Sequence, residues 1–156
     1  MQSLTRVLSV RGFVLALSAS VLAAWMAAPA RAAAPASPDE VKMGLRILAS
    51  VYGDMDRKLA REQYDRLPHE NQEFQEGSQA LKDAIAKDDK DFKARVEGAL
   101  GAALTAANHV AEVSKSHDKA RVQAALDALA KSMRKLNALF PESLRSEPGT
   151  VAPPHP

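Results

Sequence analysis

The stretch 122–140, VQAALDALAKSMRKLNALF, places its apolar residues at Val122, Leu126, Leu129, Met133, Leu136 and Phe140. The steps run 4, 3, 4, 3, 4, the spacing that a 3.6-residue period draws into a single stripe along one side of an α-helix. A strand would need alternation, and a loop would show no period. This stretch is therefore a helix with one buried seam, and the rest of the chain must supply something for that seam to pack against.

Two more stretches carry the same stepping, and another carries a weaker copy. The first seam is Val41, Leu45, Leu48, Tyr52, Met55 and Leu59, preceded by Ser37-Pro38-Asp39-Glu40. There Ser37 is the expected cap, Pro38 suits the first helical position, and the two acids sit where the helix dipole favours negative charge. Gly53 costs this helix about 1 kcal/mol relative to alanine without ending it. Pro68 marks the second start, and Phe74, Ser78, Leu81 and Ile85 form a smaller-residue seam. The polar run Lys87-Asp88-Asp89-Lys90-Asp91 breaks the chain and supplies a cap. A third helix is expected from about Asp89 to Ser114, with Phe92, Val96, Ala99, Ala103, Ala106, Val110 and Val113 on its seam. Ser116-His117-Asp118 is the last break, and the fourth helix stops by Pro141. Short breaks between amphipathic helices imply antiparallel neighbours, so the expected fold is all-α, an up-down-up-down four-helix bundle.

The expected domain plan is 1–32 signal peptide, 33–37 linker, 38–145 bundle and 146–156 disordered Pro-rich tail. Arg6 and Arg11 form a positive n-region, Gly12 to Ala28 is almost wholly apolar, and Ala30-Arg31-Ala32 fits the small-x-small cleavage rule. Export and cleavage predict a periplasmic or secreted protein beginning at Ala33, with cleavage after Ala30 also fitting the rule. Processing would remove three of 21 basic residues and none of the 19 acidic ones, taking the formal charge from +2 to −1. A near-neutral, mixed-sign surface gives no electrostatic reason to expect nucleic acid, and nothing after the signal predicts membrane association.

The chain has no cysteine. That excludes a disulfide framework, thiolate metal ligands, a cysteine nucleophile and thioether-linked haem. Stability must come from burial, at ~1.5–3 kcal/mol for each fully buried Leu, Val or Phe.

Candidate sites are sparse. There is no HExxH, no pair of Glu-x-x-His copies, no Gly-x-Ser-x-Gly elbow and no Gly-rich phosphate loop, so no enzyme is expected. His109 with Glu112, and His69 with Glu73, are the weak metal candidates. Met43, Ile47 and Val51 form a second stripe on the first helix, beside the seam, and are the expected homodimer contact.

The end of the last helix carries a resemblance. Met133-Arg134-Lys135-Leu136-Asn137-Ala138-Leu139-Phe140 has the register of the Cys-x-x-Cys-His-x-x-Phe/Tyr ending of the cytochrome c prime family, exported four-helix bundles whose last helix attaches haem. Phe92 opening the third helix, its Ala-rich middle, a short acidic break and a last helix of matching length agree in position, so the resemblance spans Pro38 to Arg145. It departs where the chemistry lies. Met133 and Leu136 stand at the thioether positions and Asn137 at the position of the iron ligand. The resemblance thus implies a degenerate member with no cofactor, its haem volume refilled by Met133, Leu136, Leu129 and Phe140. The periplasmic b-type cytochromes share the bundle and hold haem without covalent bonds. Haem held that way by His109 with Met55 or Met43 is the alternative, and a metal-responsive or chaperone-like envelope protein, its protein partner unknown, is a further one.

Overall fold

The computed structural model describes residues 35–148; the expected signal peptide, the start of the linker and residues 149–156 lie outside them. Within the described residues the protein is all-helical: α1 (Pro38–Ala60), α2 (Leu67–Ala84), α3 (Lys90–Ser114) and α4 (Lys119–Asn137), with 3₁₀ turns at Tyr64–Arg66 and Glu142–Leu144 and no strand. α1 packs on α2, α2 on α3, α3 on α4, and α4 returns to α1, while Glu142–Leu144 folds back against α1.

The helix starts follow from their caps. The Asp89 carboxylate accepts the backbone N–H groups of Asp91 and Phe92 at 3.0 and 3.1 Å, and Asp118 accepts those of Ala120 and Arg121 at 3.0 and 3.1 Å. Each satisfies donors that the first turn would otherwise leave unpaired. Ser37 corrects the expectation placed on it, because its side chain makes no cap bond. Entry to α1 is instead held by the Ala36 N–H, which donates to Asp88 Oδ1 at 2.6 Å and ties the linker to the α2–α3 connection.

The seams of α1, α2 and α4 point inward nearly as expected, with Leu45, Leu48, Met55, Phe74, Leu81, Leu126, Leu129 and Phe140 all buried. Tyr52 is only partly covered. α3 departs by one residue in its middle: Leu100 and Ala107 are fully buried, whereas Ala99 and Ala106 lie at the margin.

α1 and α2 approach closely because two glycines face each other's neighbours. A Cβ on Gly44 would lie 3.1 Å from Leu81 Cβ, and one on Gly77 would lie 2.7 Å from Ile47 Cγ2 and 3.3 Å from Leu48 Cδ2. Each helix thus lays an aliphatic side chain over a glycine of the other, a close approach that any larger residue would obstruct.

At one end of the molecule the α1–α2 and α3–α4 connections meet. The Tyr64 ring stacks on His117 with centroids 5.1 Å apart, His117 Nε2 lies 3.4 Å from Asp65 Oδ1, and Lys119 Nζ lies 3.4 Å from Glu62 Oε1. Both connections turn through a left-handed residue that is not glycine, Glu62 at φ 57° and His117 at φ 54°. His117 therefore belongs to the turn that precedes the α4 cap.

Candidate functional site

α4 ends at Asn137, three residues earlier than the apolar period reaches, yet Phe140 stays in the core because its N–H bonds the Asn137 carbonyl at 3.0 Å and the chain curls inward. Met133 is 2 % exposed, Leu136 1 % and Asn137 3 %. The Phe140 ring meets Phe92 edge-on, with centroids 5.7 Å apart.

A buried asparagine must find partners for both ends of its amide. Asn137 finds them on one residue: its Nδ2 donates to the Ser146 carbonyl at 2.8 Å, and its Oδ1 accepts the Ser146 N–H at 3.3 Å. Arg145 Nε adds a bond to the Phe140 carbonyl at 2.9 Å, and Leu144 covers the edge of the core. Ser146 is accordingly held to the bundle.

The residues at the positions that the resemblance marks carry no thiol and no imidazole. Met133 and Leu136 have no thiol to form thioethers, and both are packed inside. Asn137 offers an amide whose donor and acceptor are already engaged. The alternative ligands are scattered: Met55 is fully buried, Met43 is 59 % exposed, and His109 sits on a cleft between α3 and α4 with Arg121, Ala124 and Ala128.

The weak metal candidates form local pairs. His69 Nε2 lies 3.3 Å from Glu73 Oε1 on the outside of α2. Glu112 accepts from Lys115 Nζ at 2.6 Å, and that bond and charge hold its carboxyl below the usual range, with His109 a smaller influence. Among the described residues no group of three His, Asp or Glu side chains is placed to hold a metal ion.

The stripe on α1 needs correction. A homodimer contact needs the stripe to stand free in a single chain, yet Val51 is only 4 % exposed and Ile47 is partly buried. α2 reaches that flank because Gly77 has no side chain to keep it away. Only Met43 remains open. Together the three residues form one wall of a groove between α1 and α2, whose other wall is Gly77, Ala80 and Ala84.

Two polar features escaped the reading by periodicity. Glu70, on α2, is only 6 % exposed. Burial pushes its carboxyl above the usual range, Glu73 and Asp54 push it the same way, and Lys58 and His69 oppose them. On the α2–α3 contact, Asn108 Oδ1 accepts from Asn71 Nδ2 at 3.0 Å and from Gln75 Nε2 at 3.2 Å, which leaves the buried Asn71 Oδ1 without a partner. Polar residues at seam-flanking positions carry no periodic signal, so spacing could not mark them.

Comparison with family models, with curated proteins and with solved structures finds no match to this chain.

Proposed function

We propose that this chain is an exported, non-catalytic four-helix bundle of cytochrome c prime-like build, in which side chains have replaced the haem, and that it acts by binding or assembly. The observation that carries this reading is Asn137. At the position corresponding to the iron ligand stands a buried amide that fastens the C-terminal segment to the bundle through Ser146. Met133 and Leu136, at the thioether positions, are core residues.

The up-down-up-down arrangement draws support from the residues that oppose one another. Gly44 faces Leu81 while Ile47 and Leu48 face Gly77, so one index climbs as the other falls. Asn71 meets Asn108 across α2 and α3. Phe92 meets Phe140, at the far end from the cleft where His109 and Val113 face Arg121 and Ala125.

The non-catalytic part of the reading draws support from two buried hydroxyls. The buried hydroxyls Ser78 and Ser114 donate to carbonyls of their own helices at 2.7 and 2.8 Å, which leaves neither poised against a base. Export rests on Arg6, Arg11, the apolar run and Ala30-Arg31-Ala32.

Titration with haemin, followed by visible absorption, tests the reading. The expected result is the additive spectrum of protein and free haemin. A saturable Soret band that disappears in His109→Ala would overturn it in favour of a non-covalent haem protein. Parallel titrations with copper, nickel and zinc are expected to reveal no site tighter than micromolar.

A further inference from the structure

The groove between α1 and α2 runs from the start of α1 to its middle. Its wider part, about 520 Å³, lies between Met43 and Gly44 on one side and Ala80 and Ala84 on the other; its narrower part, about 350 Å³, continues over Ile47, Val51 and Gly77. Ala80 lines both parts, which makes the groove continuous. From Asp39 to Val51 the α1 wall rises about 18 Å at 1.5 Å per residue. Met43 stands open at the wide end, the exposed large apolar side chain of the described residues.

The rim has one sign. Asp39 and Glu40 border it from α1, and Glu73, Glu76 and Asp83 from α2, while no lysine or arginine lines either part. Glu73 lies 3.3 Å from His69, and Asp83 accepts from Gln79 at 2.9 Å; among the described residues Asp39 and Glu40 form no ion pair. An apolar floor bordered by five carboxylates is chemically matched to a helix with a greasy stripe flanked by lysine and arginine.

We propose that this groove docks a cationic amphipathic helix of another protein, with apolar residues spaced i, i+4, i+7 over Met43, Ile47 and Ala80 and basic residues against the rim. The proposal rests on the reading of the chain as a binding protein and names the partner class and the place of contact. A second copy of this chain is the poorer occupant. Two-fold pairing through this face would set carboxylates against carboxylates, and like charges across an interface disfavour the contact.

The test uses the full chain and a fluorescent synthetic helix of about 18 residues, leucine along one stripe and lysine elsewhere, with a glutamate-for-lysine version as control. Fluorescence anisotropy at low salt is expected to show saturable one-to-one binding of the lysine peptide and none of the glutamate peptide. Ala80→Arg and the pair Glu73→Lys/Glu76→Lys lie on exposed or partly exposed positions. Each is expected to weaken binding about tenfold or more while leaving the helical circular dichroism unchanged. Equal binding of both peptides would overturn the proposal. Undiminished binding by the variants, as for attraction without a defined place, would do the same. So would a dimer of the chain that Met43→Lys dissociates, since the groove would then belong to self-association. The haemin titration is indifferent to all three results, so this proposal and the haem-free reading fail separately.

Discussion

Asn137 and Ser146 form a two-bond clasp, amide to backbone, across nine residues of chain: 2.8 Å from Nδ2 to the Ser146 carbonyl and 3.3 Å from the Ser146 N–H back to Oδ1. The clasp closes the loop that carries Phe140 into the core and Leu144 against α1. It thereby gives a structural task to a residue standing where, by resemblance, a haem protein would keep its ligand.

Asn137→Ala removes both bonds and leaves the Ser146 groups to find water. A buried hydrogen-bonding residue lost in this way costs about 1–3 kcal/mol. Urea denaturation is expected to show that loss, and limited proteolysis to cut after Arg145 sooner than in the parent. Unchanged stability and cleavage would mean that the clasp does not hold the segment.

Phe140→Ala empties a fully buried site and is expected to cost about 3–5 kcal/mol. Because the ring meets Phe92 edge-on at 5.7 Å, a double-mutant cycle with Phe92→Leu should return a coupling of about 0.5–1.5 kcal/mol. Strict additivity of the two substitutions would contradict the contact.

Glu70→Gln is expected to stabilise the protein at neutral pH. Burial holds the folded carboxyl above its ordinary range, so the folded state keeps its proton more tightly than the unfolded chain does. Stability therefore falls as pH rises from the unfolded pKa through the folded one, and the penalty is full above both. At about pH 3, below the ordinary glutamate value near 4.3, parent and variant should have closely matched urea midpoints. A variant less stable at both pH values would contradict this assignment.

Asp89→Ala and Asp118→Ala each delete a cap that accepts two backbone N–H groups. Each is expected to cost about 0.5–2 kcal/mol, measured by thermal or urea unfolding. The caps stand on different connections and share no partner, so the double variant should show the sum.

Much of the fold was legible in the apolar spacing, and α3 shows where legibility ended. A strict 4, 3, 4, 3 step carried its expected seam through Ala99 and Ala106, whereas the buried residues run Phe92, Val96, Leu100, Ala103, Ala107, Val110. Both runs cover Phe92 to Val110 in five steps and coincide at Ala103, Val110 and Val113, so the seam keeps its direction and shifts by one residue only where Leu100 and Ala107 take the places of Ala99 and Ala106. The leucine at 100 was the available signal. Asn137 was legible as a polar residue beside the seam of α4, but its partner was not, because the Ser146 backbone has no side-chain signature. The groove was hidden for a related reason. The spacing of Met43, Ile47 and Val51 marks a second stripe on α1, and only the close approach at Gly77 shows that α2 covers part of it and supplies the opposite wall.

In the proposed function, core side chains occupy the volume a porphyrin would need. Intact mass under native conditions, taken together with the visible spectrum of protein purified from its host without added ligand, measures this most directly. The expected result is a colourless protein whose mass is that of the polypeptide beginning at Ala33 and nothing more. A coloured protein carrying the added mass of one haem would contradict it.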